Sequence, residues 1–340
     1  MFNSGRKRIT SVVSSVLRSF NGTSKLQKAK DTLNKPVHQN DLPRVGGIAT
    51  FMRLPFHPTT EGLDACLVGV PLDTATSNRP GTRFGPRQIR TESVMVRPRN
   101  HATGENPFNR IQIGDIGDVR ANLYNTPKAC EEITQQYRDI VKNKCIPVTL
   151  GGDHLITYPI LRAVCEKHGP VAMIHIDAHS DTATDMMGER LAHGTPFRCA
   201  WEDKLFLDKK VFQVGLRGTG WAHGDIQWGR DQGWTVIQAE ECWHKSLTPL
   251  MEDIKNKIGD SPVYLSFDID AIDPGFCPGT GTPEIGGLTT IQALEIIRGC
   301  SGLNLVGCDL VEVSPAYDLS GNTSLTGANL VFEMLCVLNK

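Results

Sequence analysis

The segment Val171-Ala-Met-Ile-His-Ile-Asp177-Ala-His179-Ser-Asp181 decides how this chain reads. Its first six residues, Val171–Ile176, are apolar but for one histidine and too few for a buried helix, so they predict a strand. The strand runs straight into two aspartates and a histidine at alternate positions. Extended backbone turns residues i, i+2 and i+4 to one side, so Asp177, His179 and Asp181 are expected to face the same way. Two more short apolar runs end in the same chemistry. Ile146–Leu150 leads into Gly151-Gly152-Asp153-His154, and Val263–Phe267 leads into Asp268-Ile-Asp270.

Leu63–Val70, Lys210–Val214 and Leu303–Cys308 share this strand character. Lys128–Val141, Thr157–Lys167, Leu247–Ile258 and Thr290–Cys300 carry apolar residues at helical spacing instead. Strands alternating with helices predict an α/β protein with a mostly parallel sheet covered by helices on both faces. Ligands of such sheets bind beyond the carboxyl ends of the strands, where the three acidic motifs fall. After a polar stretch at about 31–45 no linker or internal repeat interrupts residues 45–340, so a single domain is expected over residues 36–340.

Four carboxylates brought together cannot all stay ionised unaided. Each pair at about 4 Å costs on the order of 4 kcal/mol at an effective dielectric near 20. Either their pKa values rise or cations neutralise them, and two divalent ions supply the four positive charges required. A set of carboxylates with some imidazole, and no thiolate, argues against a structural zinc site. It suits manganese best, with iron or cobalt as substitutes, since magnesium takes nitrogen reluctantly.

The motifs GGDH at 151–154, DAHSD at 177–181 and SFDIDAIDP at 266–274 resemble the three signatures of the ureohydrolases, the arginase and agmatinase family. The resemblance covers about residues 45–338 and is closest to the mitochondrial agmatinase-like, guanidino acid hydrolase branch. It implies a three-layer α/β/α sandwich, two Mn2+ per subunit, and His154, Asp177, His179, Asp181, Asp268 and Asp270 as the metal ligands. Asp153 would orient its neighbours. Glu312, in Asp309-Leu-Val-Glu312-Val-Ser-Pro315, matches the family glutamate that pairs with a guanidinium. His193, in His193-Gly-Thr-Pro-Phe197, matches the proton-shuttling histidine, a role for which an ordinary pKa near 6.5 is suited. The implied partner is a small guanidino substrate, agmatine or an acid such as 4-guanidinobutyrate, and the implied assembly is a homo-oligomer, trimer or hexamer. Dications lower the pKa of water from 15.7 to about 7. The expected chemistry is attack of ionised water on the guanidinium carbon, with Asp181 passing its proton to the leaving amine to give urea and a primary amine. Arginine itself is disfavoured, because the loop Asp181–His193 lacks the Asn- and Ser-rich character of arginases.

The formal net charge of −1 gives no general attraction to nucleic acid or to an anionic membrane. The charge is unevenly spread. Arg6, Lys7, Arg8, Arg18, Lys25, Lys28 and Lys30 precede the first acid, Asp31, and Ile9, Val12, Val13, Val16, Leu17 and Phe20 recur at helical spacing among them. A basic, serine-rich, acid-free amphipathic segment predicts a mitochondrial transit peptide over residues 1–35, and hence import into the matrix. The ten cysteines show no framework spacing and read as free thiols. His175, inside its strand and opposite His179, reads as core packing, and Gly279-Thr-Gly-Thr-Pro-Glu284 as a turn shaping the site. Arg79, Arg83, Arg87 and Arg90 either brace a Gly/Pro loop or, with Arg198 as another candidate, meet a substrate carboxylate. Competing functions are a formimino or amide hydrolase on the same architecture, and a catalytically silent binding protein of polyamine metabolism.

Overall fold

The computed structural model describes residues 33–220 and 224–339. The proposed transit segment lies outside them but for its last three residues. Eight strands form one sheet: β1 Ala65–Val70, β2 Ile113–Asp118, β3 Ile146–Gly151, β4 Val171–Ile176, β5 Phe206–Leu216, β6 Thr235–Gln238, β7 Pro262–Asp268 and β8 Asn304–Val311. Their order is β2-β1-β3-β8-β7-β4-β5-β6, and every pairing is parallel. The helices are α1 Gly85–Glu92, α2 Thr126–Lys142, α3 Thr157–His168, α4 Pro196–Glu202, α5 Gly224–Asp231, α6 Ala239–Cys242, α7 Thr248–Ile258, α8 Thr290–Gly299 and α9 Asn322–Val337.

A parallel sheet buried on both faces must present apolar residues to both. Leu67, Val148, Ile174 and Phe212 pack with Ile89 of α1, Ile254 of α7, Ile296 of α8 and Leu335 of α9. Their strand neighbours Cys66, Val68, Met173 and Val211 pack with Ile133 of α2, Ile160 of α3 and Phe197 of α4. The expected three-layer sandwich is therefore present.

Several elements escaped the sequence reading, β6 and α1 among them, and for two others the reason is identifiable. β2 is Ile-Gly-Asp-Ile-Gly-Asp, poor in strand formers, and holds its place through a buried ion pair. α9 is buried on most of its circumference, so it shows no apolar stripe against a polar face.

The ion pair settles one of the arginines. Arg90 reaches Asp115 through two parallel bonds, Nε to Oδ2 at 2.8 Å and Nη2 to Oδ1 at 3.0 Å, and Nη1 contacts Asp118 at 2.5 Å. Asp115 is fully buried and also accepts from Phe51 N at 2.7 Å. Replacing Arg90 by Met strands that carboxylate without its cation, which costs about 3–5 kcal/mol. Denaturant unfolding should show that loss, and a midpoint equal to wild type would refute it. Arg83 likewise braces its own loop, Nε to Asp73 Oδ1 at 2.5 Å, while Asp73 Oδ2 accepts from Gly81 N at 2.8 Å. Arg90, buried with all three guanidinium nitrogens bonded, is not placed to meet a substrate.

Candidate metal centre and cleft

The sheet order explains why distant motifs meet. β3, β8, β7 and β4 are consecutive neighbours, and their carboxyl ends deliver His154, Glu312, Asp268 with Asp270, and Asp177 with His179 and Asp181. The convergence expected from sequence is there, but its expected cause is not. β4 stops at Ile176, and residues 177–181 are a bent loop rather than extended chain. Asp181 has a left-handed backbone, φ 51°. Asp270 sits in a one-turn 3-10 helix over Ile269–Ala271, capped by Asp268 Oδ1 accepting from Asp270 N at 2.8 Å. Turn geometry, not strand alternation, aims these side chains. Gly152, φ 54°, lets the β3 end turn: a Cβ there would strike the carbonyls of Val70 and Leu72.

All six expected ligand residues come together. His154 Nδ1 lies 3.0 Å from Asp177 Oδ2, 3.2 Å from Asp181 Oδ2 and 3.2 Å from Asp268 Oδ2. His179 Nδ1 lies 3.2 Å from Asp270 Oδ2 and 3.5 Å from Asp177 Oδ1. Two groups of donors thus share Asp177. His154 Nδ1 is buried and forms no hydrogen bond of acceptable geometry to any of the three carboxylates around it.

The electrostatics call for cations. Burial works against a charged His154, yet the carboxylates of Asp177, Asp181 and Asp268 lift its pKa well above the usual range. His179 is raised in the same way, burial being overcome by Asp270 and Asp177. Burial and the neighbouring carboxylates push Asp268 well up. Burial also raises Asp270, although His179 opposes it. Without other cations the site draws protons onto its imidazoles; divalent ions among the same oxygen and nitrogen donors remove that need. The donor set and the unbonded Nδ1 fit such ions.

Glu312 is 1% exposed and left-handed, φ 62°. Its Oε1 accepts from His154 N at 2.9 Å, whereas Oε2 is buried with no partner. Left-handed backbone at non-glycine residues costs roughly 1–3 kcal/mol and persists where surroundings enforce it; here it occurs at Asp181 and Glu312 together. His193 Nδ1 stands 3.4 Å from Glu312 Oε1, and its Nε2 is 2.7 Å from Ser77 Oγ. The expectation of an ordinary pKa for His193 fails. Burial lowers it, but the Glu312 hydrogen bond and charge, with Asp181 and Asp153 behind, push it up to about 9. Asp153 is lifted to about 7 by burial and by Glu312, against the opposing bond its Oδ2 accepts from Ala75 N at 3.0 Å. Ala75 O in turn accepts from His193 N at 3.1 Å, so Asp153 steadies the loop that seats His193.

His175 is not mere core packing. Its ring stacks on Phe197 with centroids 3.9 Å apart, and Nε2 meets Asp177 Oδ2 at 2.7 Å. Arg217 was missed entirely: its guanidinium donates to the carbonyls of Gly215, Asp270, Ala271, Glu284 and Ile285, clasping the loop behind Asp270. No motif marks it, since every partner is backbone. The Gly279–Glu284 segment is a bend rather than a turn, and it brings Gly281 beside Glu312 Oε2.

The centre opens into a cleft of about 920 Å³ lined by His179, Asp181, Met186, Arg198 and Trp228 among others. Arg198 donates from Nε to Thr182 O at 3.2 Å and lies over the Trp228 ring, 3.8 Å from its centroid. Trp201 and Trp234 meet Trp228 edge-on at 5.2 Å each and hold it in place. Arg79 sits over Tyr317, 5.1 Å from the ring centroid, and Arg87 is exposed.

A wholly parallel α/β/α sheet with an acid–imidazole cluster at its carboxyl edge defines the class, and the chain belongs to the arginase family, whose sequence profile matches residues 63–336. It is 60% identical to the guanidinobutyrase of Pseudomonas aeruginosa over 309 residues, 90% of this chain and 97% of that protein. It is 58% identical over 305 residues to the Gallus gallus protein named agmatinase, mitochondrial, covering 90% of each. The solved structure of proclavaminate amidino hydrolase from Streptomyces clavuligerus matches with a TM-score of 0.83 at 38% identity, over 87% of this chain and 100% of that one.

Proposed function

We propose that the chain hydrolyses a linear guanidino compound to urea and a primary amine, with two Mn2+ held by His154, Asp177, His179, Asp181, Asp268 and Asp270. One observation carries the reading. An imidazole nitrogen without a hydrogen bond, His154 Nδ1, and the carboxylate oxygens around it stand beside a buried carboxylate oxygen, Glu312 Oε2, that has no partner. The cluster suits metal cations, and the lone oxygen suits a planar organic cation. Ions bound there would neutralise the carboxylates and lower the pKa of water from 15.7 to about 7.

The side chains supply the rest. Glu312 accepts charge-assisted N–H bonds from the guanidinium and orients its carbon. Asp181, whose side chain is 10% exposed against 3% or less for Asp177, Asp268 and Asp270, carries a proton from the attacking water to the leaving amine. His193 exchanges protons with solvent. A guanidinium on Glu312 cancels the charge that holds the His193 proton, so substrate binding itself prepares its release.

The far end of the substrate is read by Arg198. Among the described residues its Nη atoms have no partner, so it offers the cleft an uncommitted cation. A guanidino acid brings a carboxylate to it, whereas agmatine brings an ammonium that it repels. Urea release with added Mn2+ from agmatine, arginine, 4-guanidinobutyrate and taurocyamine tests both readings. We expect 4-guanidinobutyrate to have the highest kcat/KM, and Arg198→Met to lower it about 10–100-fold, one charge-assisted contact, while kcat/KM for agmatine rises as the repulsion is removed. Preference for agmatine would reject the Arg198 reading alone. No urea from any of them would reject the ureohydrolase reading and favour a formimino or amide hydrolase, or a silent binding protein. Sedimentation of the purified chain distinguishes the proposed trimer or hexamer from a monomer.

We also propose import into the mitochondrial matrix directed by residues 1–35, with 36–340 as the working domain; the Gallus gallus relative is named mitochondrial. A fluorescent reporter fused behind residues 1–35 should enter mitochondria, and a cytosolic signal would overturn this.

A further inference from the structure

One register across five neighbouring strands is polar where the strand interiors around it are apolar. Thr149, Asp309, Ser266, His175 and Gln213 stand side by side on β3, β8, β7, β4 and β5. All five are at most 1% exposed. The row lies two residues before Asp177 and Asp268, immediately under the acid–imidazole cluster.

Its hydrogen bonds have fixed directions. Asp309 Oδ2 accepts from Tyr264 Oη at 2.8 Å and Thr157 Oγ1 at 2.9 Å, and Oδ1 accepts from Ser266 Oγ at 2.6 Å. A hydroxyl has one proton. Having given it to Asp309, Ser266 Oγ can meet His154 Nε2, 2.8 Å away, only as an acceptor. His154 Nε2 therefore keeps its proton, and the proton that a cation would displace is the one on Nδ1, facing Asp177, Asp181 and Asp268. On the other side Gln213 Nε2 spends both hydrogens, on Ser180 O at 2.9 Å and His175 Nδ1 at 3.0 Å. His175 Nε2–H is then left for Asp177 Oδ2 at 2.7 Å. Both ring nitrogens of His175 are thereby occupied, so it is not itself a metal ligand.

We infer that Asp309 and Ser266, together with Gln213 and His175, are positioning residues that fix Nδ1 of His154 as the nitrogen left to a cation and aim Asp177 at the same place; the inference rests on the metal-centre reading above. Asp309→Asn reverses the polarity of the row without changing its shape. Its carbonyl oxygen must face the Tyr264 and Thr157 hydroxyls, so its amide donates to Ser266. Ser266 then donates to His154 Nε2, and the histidine proton moves to Nδ1, into the place a cation would take.

The experiment compares the full-length wild type, Asp309→Asn and Ser266→Ala. Nitrogen-15 spectra of the metal-free proteins, taken at a pH above the His154 titration, report which ring nitrogen keeps the last proton, and equilibrium dialysis against Mn2+ reports affinity and stoichiometry. Wild type should show the Nε2–H form and bind two ions. Asp309→Asn should show the Nδ1–H form and bind Mn2+ about 10–100-fold more weakly. If Asp309→Asn does not fold, Ser266→Ala decides: mixed tautomers and about tenfold weaker binding are expected. A folded variant that keeps the Nε2–H form and wild-type affinity overturns the relay. Wild type that binds no Mn2+ overturns the metal-centre reading, while its tautomer still tests the relay.

Discussion

Asp268→Asn should cut Mn2+-dependent urea release by about three orders of magnitude, on the order of 4 kcal/mol of lost transition-state stabilisation. The reason lies in how the side chain is held. Asp268 Oδ1 is committed to Asp270 N at 2.8 Å, and Oδ2 faces His154 Nδ1 at 3.2 Å. Asparagine must keep its carbonyl oxygen on the Asp270 N–H, because two donors cannot face each other. Its amide is thereby forced into the cluster, where it presents hydrogens to the place a dication would occupy. One negative charge is lost and one set of repulsive donors is gained, in a site almost closed to water. Metal content should fall from two ions per chain to one or none, read by elemental analysis after dialysis. The fold should survive, because the buried carboxylate is replaced by a neutral group of the same shape. Undiminished turnover with two bound ions would end the proposed mechanism.

The parts legible in sequence and the parts hidden from it differ in physical kind. Val171–Ile176, Ile146–Leu150 and Val263–Phe267 declare themselves as strands because apolar runs of that length have little else to become. Six metal-affine residues at their ends stand out because charge beside a buried strand needs a counter-charge. Local backbone was less accessible. Alternation along an extended chain singled out Asp177, His179, Asp181, Asp268 and Asp270, yet the loop at 177–181 and the turn at 269–271 do the aiming. Interactions that exist only across strands were hidden. Ser266 and Asp309 read as isolated polar residues until pairing sets them opposite each other. Arg217 leaves no trace in sequence because it binds carbonyls that any residue could supply. The pKa of His193 depends on Glu312, 119 positions away in the chain and 3.4 Å away in space.

Glu312→Gln isolates the organic cation from the metal cations. Glu312 Oε1 faces two donors, His154 N at 2.9 Å and His193 Nδ1 at 3.4 Å, so glutamine must keep its carbonyl oxygen there. Its amide then replaces Oε2, the oxygen proposed to receive the guanidinium, and donor meets donor. Loss of the charge-assisted pair plus this repulsion should lower kcat/KM about 10²–10³-fold, with a raised KM, since the pair forms in the ground state as well as the transition state. Mn2+ content should stay at two per chain, in contrast to Asp268→Asn, because Glu312 bonds the His154 backbone rather than its ring. The variant has a second signature in the metal-free chain. The Glu312 charge is the chief influence raising His193 to about 9. An anion beside an imidazolium favours the charged form, so removing it must move the His193 pKa downward, and a proton NMR titration reads the shift directly. An unchanged His193 titration with kcat/KM within threefold of wild type would remove Glu312 from both roles. A lowered His193 pKa with unchanged kcat/KM would leave the ion pair intact as a structural feature and send the search for the guanidinium-binding group elsewhere in the cleft.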